Sequence, residues 1–127
     1  MAQNLAVALG SAFIPNVHNI VVNWGDKVGF DMDTTGRTRE IAHMVQRAQA
    51  VYGNVNIAVW NMHVPVNEEF RNIIESGLVK MGNGGGFCIV VFRGDGYLRN
   101  NGCRGFENWC CVGNQRQDNN TIYFDPI

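Results

Sequence analysis

Apolar positions recur along this chain with two different spacings, and the spacings divide it into helices and strands. Between Thr38 and Tyr52, the residues Ile41, Met44, Val45, Ala48 and Val51 fall on one stripe of a 3.6-residue period. Gly53 follows, where a helix ends well on a residue free to turn left-handed. The stripe predicts that Ile41, Val45, Ala48 and Val51 pack on a sheet while His43, Gln46 and Arg47 face water. A similar spacing returns after Pro65. Phe70, Ile73, Ile74, Leu78 and Met81 make an apolar face, Asn67 stands as N-cap, and Glu68 and Glu69 occupy the first turn, where acidic groups suit the helix dipole. With Lys80 in the last turn and Gly82 at the end, this predicts a second helix.

The remaining apolar runs are short and β-branched. Asn19–Trp24, Val55–Asn61 and Phe87–Arg93 are bounded by Asn, Gly or Asp and predict strands. Asp95-Gly96 predicts a tight hairpin turn, with Gly96 at positive φ, between Ile89-Val90-Val91-Phe92 and Tyr97-Leu98. Asn108–Val112 and Thr121–Phe124 predict two more strands, joined by a polar loop over Gly113–Asn120. Ile20–Asp26 echoes Ile89–Asp95, and Ile57–Asn61 more faintly, at spacings too uneven for a repeat architecture. The expectation is one α+β domain over residues 1–127, with a mostly antiparallel sheet and both helices on one face. The strand–helix–strand–helix–strand order in the middle leaves parallel pairing, and so a mixed sheet, open.

Composition sharpens this picture. Hydrophobic residues make up 46% of the 127 and charged ones only 17%, so the chain carries enough apolar content for a core beneath a weakly charged surface. The net charge is −1, and Arg93, Arg99, Arg104 and Arg116 are separated by acidic and neutral residues. Nucleic-acid binding through phosphate contacts needs clustered cations, so that class is set aside. No apolar run reaches the length of a membrane span. The stretch Met1–Pro15 lacks a basic region and is too amphipathic for a signal peptide, which predicts a cytoplasmic protein or one secreted without a leader.

Several motifs carry candidate chemistry. Asp31-Met32-Asp33-Thr34-Thr35-Gly36 resembles the start of a calcium loop, but Ala42 stands where a bidentate Glu is needed, so no metal or other cofactor is expected. Cys88, Cys103, Cys110 and Cys111 form no CxxC pair and are read as free thiols, with Cys110 and Cys111 on opposite faces of a strand, one inward and one outward. His18 and His63 fall at strand edges. A set of His63, Glu68 and Arg71 would give a small hydrolase such as a ribonuclease its acid–base pair and phosphate contact. Arg93-Gly94-Asp95 at a hairpin tip is read as turn chemistry rather than an integrin motif. Gly82–Gly86 follows a helix instead of opening one, so it is no phosphate cradle. Asn119-Asn120-Thr121 is a glycosylation acceptor in a secreted chain, and a surface loop in any case.

The aromatic residues suggest binding instead. Trp24, Trp60 and Trp109 each end or interrupt a strand, beside Asn23, Asn61 and Asn108. A flat ring with an amide at its edge suits a sugar, which has an apolar face and polar rims, so Trp24, Trp60, Asn61, Asn108 and Trp109 are the candidate ligand residues. The stretch from Phe92 to Trp109, followed by Gly113-Asn114 and Thr121-Ile122-Tyr123-Phe124, resembles small microbial and fungal proteins of the stress or defence type. The Asn-rich, leaderless character is similar to that of fungal fruit-body lectins and immunomodulatory proteins. These resemblances imply no catalytic residue. The functional expectation is a non-enzymatic recognition protein, lectin-like or defence-related, with a glycan or cell-surface receptor as partner. The alternatives are the small hydrolase and a small killer-type toxin held by disulfides.

Overall fold

The computed structural model describes residues 13–15, 43, 45–62, 64–80, 86–102 and 109–127. Nine antiparallel strands lie among them: β1 (Phe13–Pro15), β2 (Asn56–Asn61), β3 (Val66–Phe70), β4 (Ile73–Lys80), β5 (Gly86–Phe92), β6 (Gly96–Asn100), β7 (Cys110–Val112), β8 (Gln115–Asp118) and β9 (Thr121–Phe124). They form two sheets, one ordered β1-β4-β5-β2-β7 and the other β3-β6-β9-β8. Every pairing among these strands is antiparallel, so the mixed alternative is not realised there. One helix, α1, covers residues 45–52, with His43 also helical.

Side-chain alternation along the central strands sorts the apolar residues into two cores. On β2 and β5, every residue is buried, because both faces of these strands are covered. Ile57, Val59, Phe87, Ile89 and Val91 point to the side of α1 and meet Val45 and Ala48 there. Ala58, Cys88, Val90 and Phe92 point the other way, to Phe70, Leu98, Ile122 and Phe124 of the second sheet. The rings of Phe70 and Phe92 stand 4.7 Å apart, and those of Phe92 and Phe124 meet edge-on at 4.9 Å. The molecule is therefore layered as helix, five-stranded sheet, four-stranded sheet.

Helix α1 follows the sequence pattern with one change. Val45 and Ala48 are buried, His43, Gln46 and Arg47 are exposed, and Gly53, at φ 80, closes the helix with its N–H donating to the Gln49 carbonyl at 2.8 Å. Val51, expected in the core, is 39% exposed. Tyr52 takes its place, packing on the helix-side core and donating its hydroxyl to the buried carboxylate of Glu75.

The second predicted helix does not form. Residues 66–80 are two strands, β3 and β4, separated by a corner at Arg71-Asn72 where Asn72 adopts φ 56. The helical spacing of Phe70, Ile73, Ile74 and Leu78 does not mark one face: Phe70 and Leu78 enter the inter-sheet core, Ile74 packs on the helix-side core and Ile73 is 46% exposed. Along β3 the alternation is plain, with exposed Asn67 and Glu69 between more buried Val66, Glu68 and Phe70. Two β-branched residues at 73–74, another at 79 and a glycine at 77 also weigh against a helix.

The expected hairpin at Asp95-Gly96 is likewise a corner. β5 leaves the first sheet at Phe92 and enters the second as β6 at Gly96, facing the Arg71-Asn72 corner. Three backbone hydrogen bonds lock the two corners together: Arg93 N–H to Asn72 O at 3.1 Å, Gly94 N–H to Arg71 O at 3.0 Å, and Arg71 N–H to Asp95 O at 3.0 Å. Gly96 is not left-handed; it is glycine because a Cβ there would stand 2.5 Å from the Glu69 carbonyl oxygen. Residues 66–80 and 86–100 thus pair as one bent ribbon running through both sheets.

A single buried amide completes the joint. Asn56, with no exposed surface, donates to the carbonyls of Gly94 at 3.2 Å and Asp125 at 3.0 Å, and accepts from the Asn114 N–H at 2.8 Å. Gly113, at φ 111, is the residue that lets the chain pass over this amide, since a Cβ there would lie 2.1 Å from Asn56 Oδ1.

Replacing Asn56 by Leu, of similar size but apolar, leaves two carbonyls and one N–H without their partner and should cost about 3 kcal/mol or more. Gly96→Val should cost about 2 kcal/mol through the clash with the Glu69 backbone. Both are read from urea-denaturation midpoints; wild-type midpoints would contradict the joint as described.

Candidate functional site

The outer face of the four-stranded sheet gathers the most varied chemistry among the described residues. Residues that turn inward on β6 and β9, Leu98, Ile122 and Phe124, leave Tyr97 and Tyr123 pointing outward between them. The register aligns Glu69 with Tyr97, Tyr97 with Tyr123, and Tyr123 with Arg116, so one cross-strand row reads Glu69–Tyr97–Tyr123–Arg116 over all four strands. The Arg116 guanidinium lies over the Tyr123 ring, 4.8 Å from its centre.

At the end of this row stands the corner residue Arg71. It donates to Glu69 at 2.6 Å and to Asp95 at 2.8 Å, and these two carboxylates, Asp95 first, hold its guanidinium still more firmly charged than usual. Exposed ion pairs of this kind add little stability. Their effect here is to fix the direction of three charged groups beside the tyrosine rings. The hollow between them encloses about 230 Å³ and is bordered by Glu69, Arg71, Asp95, Tyr97, Arg116 and Tyr123, with Asp125 at its rim. That is below the roughly 300 Å³ at which sites for drug-sized ligands begin, so the hollow admits one small ring or one edge of a larger molecule. Among the described residues, no histidine or cysteine borders it.

The residues singled out from the sequence fall elsewhere. Trp60 is 2% exposed and its ring faces the inter-sheet core, 6.0 Å from that of Phe70, so it offers no open face to a ligand. Asn61 beside it is buried, and Trp109 is half-buried against the same core. Trp24 and Asn108 lie outside the described residues, as do His18, His63, the Asp31–Gly36 stretch and the Gly82–Gly85 part of the glycine run. Of the hydrolase set, Glu68 sits half-buried in register with buried Leu98, on the inner face, whereas Arg71 is exposed at the corner and bound to Glu69 and Asp95. Those two are not brought to one face. Arg93-Gly94-Asp95 is held in the corner, with Gly94 buried and Asp95 bonded to Arg71, so it is not displayed at a hairpin tip. Asn119 is exposed in the two-residue turn between β8 and β9, a surface position as expected.

Sequence reasoning passed over Tyr97, Tyr123 and Arg116. The available signal was period-two alternation, with Tyr97 before Leu98 and Tyr123 between Ile122 and Phe124. Gln115–Asp118, read as loop because it is wholly polar, is the strand that carries Arg116.

Cys88, Cys110 and Cys111 are free thiols. Cys110 and Cys111 do point to opposite faces, but neither is outward: Cys110 packs on the helix-side core and Cys111 on the inter-sheet core. Burial pushes the Cys88 thiol up to about 12, with the charge of Glu68 adding to it, and burial likewise pushes Cys111 up to about 12. Neither is an activated nucleophile.

Compared with known proteins, the chain matches no family model, no curated protein and no solved structure at significant similarity.

The thiols give a pH signature. Unfolded, they ionise near their ordinary 9.0; folded, Cys88 and Cys111 stay protonated to about 12. Between those values the native state holds more protons than the unfolded one, so stability falls as pH rises through that window, and below it the effect is absent. Urea midpoints followed through this window should fall less steeply for Cys88→Ala than for wild type. Parallel profiles would contradict the burial of that thiol.

Proposed function

We propose that this protein is a non-enzymatic, lectin-like recognition protein that binds a carbohydrate on the outer face of its four-stranded sheet. The observation that carries this reading is the row Glu69–Tyr97–Tyr123–Arg116, two aromatic rings on an open sheet face framed by carboxylates and guanidinium groups. A sugar ring presents C–H groups on its face and hydroxyls around its edge. The first stack on an aromatic ring; the second both donate to carboxylates and accept from guanidinium groups. Arg116 already covers Tyr123, which leaves Tyr97 as the stacking ring and Arg116, Glu69 and Asp95 as its polar frame. The charges here are fixed by their mutual ion pairs before any ligand arrives, which lowers the ordering cost of binding.

The resemblance of residues 92–109 to small defence-type proteins is in keeping with a role in recognising a foreign or cell-surface glycan. The ligand residues move accordingly from the tryptophans to the tyrosines. Trp60 has a structural part in this reading, as a buried member of the core beneath the sheet.

A glycan array probed with wild type, Tyr97→Ala and Arg116→Ala, beside an RNA-degradation assay on the same preparations, tests this. Wild type should bind a subset of glycans and leave RNA intact. Tyr97→Ala should lose that binding while its stability stays within about 1 kcal/mol of wild type, as for a surface substitution. Undiminished binding by Tyr97→Ala, or RNA cleavage by wild type without glycan binding, would overturn the assignment.

A further inference from the structure

We propose that strand β8 pairs with β8 of a second copy of this chain, joining two four-stranded sheets edge to edge about a two-fold axis. This inference does not depend on the carbohydrate reading. Among the described strands β8 ends its sheet, and all four of its residues are exposed. An exposed edge offers a row of backbone donors and acceptors to another strand. Which groups it offers is fixed by the hairpin. The two-residue turn at Asn119-Asn120 places Asp118 opposite Thr121 as the closing hydrogen-bonded pair. Bonding direction alternates along an antiparallel strand, so Asp118 and Arg116 bond inward to β9, while the N–H and C=O of Gln117 and Gln115 point to the open edge.

That alternation limits a symmetric pairing to registers that set these outward residues opposite one another. Four such registers place the axis on β8. With the axis between Gln115 and Gln117, Arg116 faces Arg116 of the second copy, and like charges directly opposed are unfavourable. With the axis at Gln115, Arg116 faces the neutral Asn114 of the second copy and no charge is matched, and with the axis at Asp118 the like charges of two Asp118 carboxylates are opposed. With the axis at Gln117, Gln117 exchanges both backbone bonds with its symmetry mate. Arg116 then faces Asp118 on either side of the axis, on the outer face, as a pair whose side chains stand close because their backbones are not bonded.

The segment Gln-Arg-Gln-Asp is thus self-complementary in one register alone, in charge as well as in bonding direction. The charges that blunt this edge against indiscriminate pairing are the same ones that select a second copy. The opposite edge of the sheet, β3, carries adjacent Glu68 and Glu69 without a compensating cation on its own strand and has no such complementarity.

Sedimentation of the full chain over a concentration series provides the test, run on wild type, Asp118→Arg, the exchange Arg116→Asp with Asp118→Arg, and Gln117→Pro. Wild type should show a reversible monomer–dimer equilibrium that weakens with added salt. Asp118→Arg replaces two attractive pairs by two repulsive ones and should weaken dimerisation on the order of tenfold. The exchange should restore it, because the pairs are re-formed with their signs reversed. Gln117→Pro removes the central outward N–H without touching the bonds to β9 and should abolish dimerisation. Near-wild-type circular dichroism of each variant establishes that the fold is retained. A wild type that stays monomeric throughout, an exchange variant no better than Asp118→Arg, or a Gln117→Pro protein that still dimerises would each overturn the proposal.

Discussion

One buried side-chain amide holds together the parts of this molecule that the two sheets alone would leave apart. Asn56 sits at the start of β2, in the first sheet, yet its hydrogen bonds go to the β5–β6 corner, the turn before β8 and the segment after β9. An amide can donate twice and also accept, so it can serve two carbonyls and an N–H at once, whereas a hydroxyl donates only once. In a site with no exposed surface each of these bonds is strong, because none competes with water. The corner, and with it Asp95 and Arg71, is positioned through this joint. So is the β7–β8 turn that delivers Arg116 to the tyrosine row. The hollow on the outer face depends on a residue in the other sheet that touches none of its lining side chains.

How much of this was legible from the sequence depends on the element. Helix α1 was readable because its period persists over several turns and ends in a glycine, and Val51 is exposed because the stripe that packs is Val45, Ala48 and Tyr52, spaced i, i+3 and i+7. β2 and β5 were readable as short β-branched runs. The region from Val66 to Lys80 was misread because β4 is covered on both faces, so its apolar residues do not alternate, and together with Phe70 across the corner their spacing mimics a helical one. Only tertiary information separates the two: Asn72 is left-handed because the backbone of Arg93 must meet its carbonyl. The outer face of the second sheet was missed for a different reason. Tryptophans draw attention as ligand platforms, but their large apolar area is what draws Trp60 into the core. The smaller tyrosines, whose hydroxyls keep one end in water, remain outside.

On the proposed carbohydrate reading, the ligand is recognised by that face. Two of its carboxylates, Glu69 and Asp95, share the Arg71 guanidinium, and the thiols of Cys88 and Cys111 are held protonated by burial. Such a surface can orient a polar ligand without changing it. Its shallowness also means that a single copy gains modest contact area, and edge pairing through β8 would set two such faces on one continuous sheet.

The bent ribbon of residues 66–80 and 86–100 has a consequence for how the protein comes apart. In most two-layer β proteins each sheet owns its strands, and one can in principle loosen while the other persists. Here β3–β4 and β5–β6 each belong to both sheets, so their pairing cannot be lost in one layer without tearing the corner that continues into the other. The two layers therefore share one fate: their slowest-exchanging amides should open together in a single global event, and no fragment containing one sheet alone can be cut from the chain and remain folded.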